Sequence, residues 1–134
     1  MNITVALLAV LGLAAFAQAQ PQPQQPPPPP PPDTIASPTN IGGQLYPRVT
    51  TDKRVVFCLK APEAKSVEFQ LGKRFPAIKD ANGYWTATSD PQAPGFHYYW
   101  LVIDGVQVND PGSETFYGTG KQTSGVEIPE KDAA

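Results

Sequence analysis

Apolar residues recur at every second position in short runs, and glycine, proline and Asn-Gly or Asp-Gly pairs cut the runs apart. No other feature of this sequence restricts the fold as strongly. A period of two sends successive side chains to opposite faces of an extended chain, whereas a helix needs a period of about 3.6. In "RVVFCLK" (54–60) Val55, Phe57 and Leu59 share one face. In "SVEFQL" (66–71) Val67, Phe69 and Leu71 do so, opposite Ser66, Glu68 and Gln70, and Pro62 separates the two runs. Asn82-Gly83 stands between "FPAIKD" and "YWTATS", and Asp104-Gly105 between "HYYWLVI" and "VQV". Both pairs predict hairpins with a type I′ turn, which needs φ > 0 at both central residues. A last strand, "GVEI" (125–128), precedes Pro129, and no stretch reads as a helix. About seven strands in about 85 residues predict an all-β chain, an immunoglobulin-like β-sandwich.

Two small sheets make a thin core that uses every inward position. The candidates are Val55, Phe57, Leu59, Val67, Phe69, Trp85, Tyr99, Leu101, Ile103 and Val126. The strand "GFHYYWLVI" (95–103) breaks the alternation. Phe96, Tyr98, Trp100 and Val102 occupy one parity, and His97, Tyr99, Leu101 and Ile103 the other, so both faces are apolar or aromatic. One face is core; the other needs a purpose. At i, i+2 and i+4, Phe96, Tyr98 and Trp100 are expected in a row, about 7 Å apart. Three uses fit such a row: stacking on the pyranose rings of a polysaccharide, contact with another protein domain, or cover by the chain's own loop 111–124, with Phe116 and Tyr117 folding back. Aromatics are common enough in interfaces that the row alone leaves these open.

Residues 1–19, "MNITVALLAVLGLAAFAQA", read as a secretory signal peptide cut before Gln20, with Ala17-Gln18-Ala19 as the small-x-small site. Its apolar run, Ile3 to Phe16, is shorter than the roughly 20 residues of a membrane span. Secretion follows as the expected localisation, with no membrane span. Residues 20–32 are Pro and Gln only and end in the prolines of 26–32, which predicts a polyproline II rod serving as a semi-rigid spacer, with a PxxP recognition motif as the alternative. Turn formers continue through 44, so 20–44 reads as a disordered Pro/Gln-rich linker, the folded module as 45–130, and 131–134 as a tail. Cys58 is the single cysteine, which excludes an internal disulfide. It reads as a small side chain packed in a strand, with intermolecular pairing as the alternative.

Catalytic chemistry finds no foothold. No G-x-S-x-G elbow occurs, and "GTGKQTSG" (118–125) has Thr115 where a phosphate-binding loop needs its first glycine. One His and one Cys cannot supply a typical zinc shell, so neither metal nor cofactor is expected. Asp104 belongs to a turn and Asp110 precedes Pro111, which makes a paired-carboxylate glycosidase a poor fit. His97 reads as a hydrogen-bonded residue at the start of a strand. A net charge of −2, from 10 basic and 12 acidic residues, leaves no electrostatic footprint for nucleic acid or an anionic membrane.

"YPRVTTDKRVVFCLKAPEAKSVEF", from Tyr46, resembles the opening of early-set, immunoglobulin-like modules related to the family-48 carbohydrate-binding modules. "HYYWLVIDGVQVNDPGSETFYGTGKQTSGVEIPE" is similar to the amino-terminal module of secreted bacterial esterases of the feruloyl and acetylxylan type. The resemblance covers Tyr46 to Glu130, and "IDGVQVNDPGSETFYGTG" is its most specific piece. It implies a β-sandwich, polysaccharide-related work outside the cytoplasm, and a catalytic partner domain. Starch- and glycogen-binding relatives carry a lysine before the Asp-Gly hairpin and a tryptophan after it, where this chain has Trp100 and Gln107. Their upstream tryptophan has no counterpart near Lys73-Arg74, so the α-glucan site does not carry over.

The sequence therefore predicts a secreted, non-catalytic accessory module whose contact residues are Phe96, Tyr98, Trp100, Phe116 and Tyr117. Its expected partner is a polysaccharide, xylan among the candidates, or an esterase catalytic domain. Two alternatives stand beside it: the front piece of a feruloyl/acetylxylan-type esterase, and a structural docking domain without affinity for sugar.

Overall fold

A computed structural model describes residues 23–130; the predicted signal peptide and the four-residue tail lie outside the described residues. Among these the chain is all β, with no helix. The strands are β1 (Thr34–Ala36), β2 (Arg48–Thr50), β3 (Val55–Lys60), β4 (Val67–Leu71), β5 (Lys73–Pro76), β6 (Ile78–Lys79), β7 (Tyr84–Thr88), β8 (Gly95–Ile103), β9 (Val106–Val108), β10 (Thr115–Phe116) and β11 (Thr123–Ile128). They form two antiparallel sheets: β1-β2-β3-β7-β6, called sheet 1, and β10-β11-β8-β4-β5, called sheet 2, with β9 also paired to β8. This is a sandwich with eleven strands where about seven were expected. The extra ones are two or three residues long, below what periodicity can register.

Alternation places the core as expected on β3, β4 and β8. Val55, Phe57, Val67, Phe69, Trp85, Tyr99, Leu101 and Val126 are buried in one cluster, and Leu59 and Ile103 pack at its margin, half-buried. The two sheets meet at Phe57 and Phe69, whose rings stack 4.5 Å apart at 13°. Each fully buried apolar side chain contributes about 1.5–3 kcal/mol. Val102 departs from its outward parity and is buried. Its cross-strand neighbours are Glu68 on β4 and Gln107 on β9, so strands flank it on both sides.

The two hairpin signals differ in outcome. Asp104 and Gly105 both take positive φ, 49° and 83°, between the paired Ile103 and Val106, as a type I′ turn requires. At the other pair only Gly83 is left-handed. Asp80 organises that turn, its Oδ1 accepting from Asn82 N at 2.8 Å and Tyr84 N at 2.9 Å. "FPAIKD" is likewise not one strand. Phe75 belongs to β5 in sheet 2 and Ile78 to β6 in sheet 1, and the chain changes sheets at Ala77, whose amide donates to Val67 O at 2.9 Å.

Ordered β structure begins upstream of Leu45. β1 pairs with β2, and Ser37 and Thr39 are buried. Thr39 Oγ1 donates to Gly125 O at 2.7 Å, and Glu127 N donates to Ser37 Oγ at 3.1 Å. This segment buries few apolar groups and is held by hydroxyl and backbone bonds, which is why its polar composition reads as linker. The proline run lies along the outer face of sheet 1, against Tyr46 and Tyr84.

Candidate functional site

β8 carries Phe96, Tyr98 and Trp100 on the outer face of sheet 2, opposite the core-facing Tyr99 and Leu101. Phe96 is 40% exposed, while Tyr98 and Trp100 are half-buried. The rings do not form the expected strip. Phe96 and Tyr98 are 5.0 Å apart at 86°, and Phe116 from β10 closes on Phe96 at 4.8 Å and 69°. Edge-to-face packing of this kind is the favoured arrangement for aromatic pairs. Gly125 on β11, opposite Tyr98, makes it possible. A Cβ there would come within 2.5 Å of the Phe96 ring and 2.7 Å of Phe116, so the rings lean across a strand with no side chain in their way.

Loop cover is partial. Phe116 folds back against Phe96, and Gly118 lies so close to the Tyr98 hydroxyl that no side chain fits there. Tyr117 instead turns outward, 70% exposed, with its hydroxyl accepting from Gln122 Nε2 at 2.7 Å. Phe96, Tyr98 and Phe116 thus form one cluster. Tyr117 stands beside it, and Trp100 marks the other end of the face.

Around Trp100 the surface becomes polar. Lys121 Nζ lies 4.9 Å from the ring centroid, within cation–π range, and donates to Gln107 Oε1 at 2.7 Å. Gln107 Nε2 reaches Gln70 Oε1 at 3.4 Å, and Gln70 is the direct cross-strand neighbour of Trp100. The Trp100 Nε1 is buried and has no hydrogen-bond partner among the described residues. Glu68 and Arg74, 3.7 Å apart, continue the polar strip along β4 and β5. Gln70, Gln107 and Lys121 are not among the contact residues expected from the sequence. The alternation in "SVEFQL" already turns Gln70 outward, but nothing local marks Lys121, which comes from a loop.

The face offers ring surfaces, amides and an ammonium. Among the described residues no three His, Cys, Asp or Glu side chains gather to hold a metal. Asp110 is enclosed: its Oδ2 accepts from Tyr99 Oη and its Oδ1 from Gly112 N, both at 2.7 Å. Burial raises its pKa against the opposing effect of those two donors. Asp104 is held below the usual carboxylate range by the amides of Ser66 and Lys65, which spend it on the turn. Burial, together with the charges of Asp80 and Asp110, pushes the Cys58 thiol up to about 12. His97 Nε2 bonds to Ala93 O at 2.7 Å, as expected of a strand-start histidine.

No protein-family model matches the chain. In sequence it is 46% identical over 105 residues to an endo-1,4-beta-xylanase/feruloyl esterase of Xylanibacter ruminicola, a match taking in 75% of this chain. The chain spans 14% of the length of that relative. Among solved structures it is similar to the apo pullulanase of Paenibacillus barengoltzii, with 24% identity and a TM-score of 0.43 over 57% of this chain and 13% of that one. A variant of the same pullulanase complexed with maltotetraose gives 23% identity and a TM-score of 0.46 over 63% of this chain and 15% of that one. No helix among the described residues is long and apolar enough to cross a membrane. The chain is a homologue of a small part of a carbohydrate-degrading enzyme.

Proposed function

We propose that this chain is an exported, non-catalytic accessory module of a polysaccharide-degrading enzyme, with the outer face of sheet 2 as its polysaccharide contact. The observation that carries the reading is the composition of that face. A Phe96–Tyr98–Phe116 cluster, exposed at Phe96, and the exposed Tyr117 lead to Trp100, which is fringed by Gln70, Gln107 and Lys121. Apolar ring surface beside amide donors and acceptors matches the alternation of C–H faces and hydroxyls on a pyranose chain. Xylan is the first glycan to try, because the relative is named for a xylanase and feruloyl esterase activity.

The test is depletion of the full chain from solution by insoluble xylan. Tyr117→Ala is the informative variant: the side chain is 70% exposed, so its loss leaves the fold intact. Aromatic stacking contributes on the order of 1–3 kcal/mol by analogy with bases, so retention is expected to fall about 5- to 150-fold in Trp100→Ala, and measurably in Tyr117→Ala. Unchanged retention in both variants contradicts the assignment of the face.

A second reading rests on one specific observation. The Phe96, Tyr98 and Phe116 rings meet edge-to-face, so they present a convex cluster and not a flat platform. A cluster of that shape suits a pocket on a neighbouring domain, such as the catalytic part of an esterase. In that case the chain gains stability when joined to the catalytic domain, and Phe96→Ala removes the gain without touching xylan retention.

A further inference from the structure

We propose that the outer face of sheet 1 is a recognition surface for polyproline II segments, and that residues 25–31 of the same chain are its resident occupant. An antiparallel sheet with one face on the core usually leaves the other solvated and polar. Here the outward residues of β3 and β7 include Val56, Cys58 and Tyr84, and Val56 is buried. Tyr46 and Tyr84 are only 8% and 7% exposed although neither belongs to the core cluster. The proline run is what covers them.

The contact has the chemistry that a polyproline helix demands. Proline has no amide hydrogen, so such a run offers carbonyl acceptors and ring surface but no donors. Tyr84 Oη donates to Gln25 O at 2.7 Å. Tyr46 Oη reaches the Pro28 and Pro29 carbonyls at 3.3 and 3.4 Å. Aromatic rings that give surface to the prolines and hydroxyls to their carbonyls are the general means of recognising this conformation. Lys60 Nζ lies 5.2 Å from the Tyr84 ring centroid, beside the groove.

Burial follows the helix repeat. A polyproline II helix has three residues per turn, so positions three apart share an edge. Pro26, Pro29 and Pro32 are exposed and Pro27 and Pro30 half-buried, while on the third edge Pro28 is half-buried and Pro31 exposed. One edge thus faces solvent along its whole length while another faces the sheet. The run is nevertheless not packed into the body. An open pocket of about 270 Å³ adjoins it, lined by Pro27, Tyr46, Cys58 and Tyr84 among others. A segment resting on two tyrosines beside an open pocket is seated as an exchangeable ligand is. Its tether to β1 is a single turn at Asp33 (φ 57°), and short tethers give effective concentrations of about millimolar. The resident run therefore excludes a polyproline segment offered in trans until it lifts off.

The experiment uses the full chain and a synthetic peptide with the sequence of residues 23–32, followed by amide and ring NMR shifts. In the intact chain, cross-relaxation between the Tyr84 ring and the protons of Gln25 and Pro26 is expected, and millimolar peptide leaves the shifts of Val56, Tyr84 and Thr86 unmoved. When Pro27, Pro28 and Pro30 are replaced by serine, those shifts move. Added peptide then binds saturably at the same residues, and Tyr84→Phe on that background weakens it several-fold. Absence of the Tyr84 cross-relaxation in the intact chain overturns the proposal whether or not the serine variant folds. So does a serine variant that ignores the peptide, or a peptide that acts on the intact chain equally.

Discussion

Replacing Tyr99 with phenylalanine removes one atom from a closed polar site and has a cost that depends on pH. Tyr99 is fully buried, and its hydroxyl is one of two donors to the enclosed Asp110 carboxylate, at 2.7 Å; Gly112 N is the other. A hydrogen bond to a charged group is worth about 1.5–3 kcal/mol net, and one between neutral groups about 0.5–1.5. Burial already raises the Asp110 pKa, so the folded protein holds this proton more tightly than the unfolded chain does. Between the unfolded carboxyl value, about 3.9, and the raised folded one, stability falls as pH rises. Losing the Tyr99 donor raises the folded value further and extends that fall to higher pH. The variant is expected to lose about 1 kcal/mol where the acid is neutral and about 2 where it is ionised, so its loss grows from pH 4 to pH 7. For a domain of about 100 residues these losses correspond to roughly 4–8 °C and 8–16 °C in Tm. Thermal melts of both proteins at the two pH values, read by far-UV circular dichroism, supply the comparison. A loss of equal size at pH 4 and pH 7, or none at either, refutes the claim that Tyr99 stabilises a buried ionisable carboxyl.

Two further outcomes follow from the same structure. A chain beginning at Gly43 lacks β1 and the Ser37 and Thr39 bonds to β11, as well as the Arg48 Nη2 bond to Thr34 O at 2.7 Å. At about 0.5–1.5 kcal/mol for each of these three bonds it should be less stable by about 1.5–4.5 kcal/mol in urea, and an unchanged midpoint contradicts the integration of that segment. The Cys58 thiol, pushed up to about 12 by burial and by Asp80 and Asp110, should react with a dithiobis reagent at pH 8 only when the protein unfolds. Rapid labelling of the native chain counts against that environment.

The sheets were legible wherever one face of a strand is core and the other is not. β3 and β4 show it, and Asp104-Gly105 fixed the β8–β9 register through chemistry confined to two residues. Two of the misses have determinants that lie far away in sequence. Ser37 and Thr39 look like linker, and their partners Glu127 and Gly125 are separated from them by 90 and 86 residues. The proline run reads as a free spacer until Tyr46 and Tyr84 are seen beneath it. Asn82-Gly83 carries a strong hairpin signal, yet the Asp80 carboxylate captures the turn first.

At the candidate site, parity alone placed Phe96, Tyr98 and Trp100 outward. Their mutual geometry was not legible, because Gly125 on a neighbouring strand lets the rings turn edge-to-face. The polar fringe of Trp100 was hidden for the same reason, being assembled from β4, β9 and the loop after β10.

The most direct test of the polysaccharide assignment is a fluorescence titration of the full chain with xylo-oligosaccharides. The chain has two tryptophans: Trp85 lies in the core with its Nε1 bonded to Ala61 O at 2.8 Å, and Trp100 lies on the outer face of sheet 2. A ligand on that face perturbs Trp100 and leaves Trp85 unchanged. The account predicts a saturable change in emission that disappears in Trp100→Phe, while the variant's melting curve stays close to that of the parent. No change up to millimolar ligand, or the same change in Trp100→Phe, contradicts it.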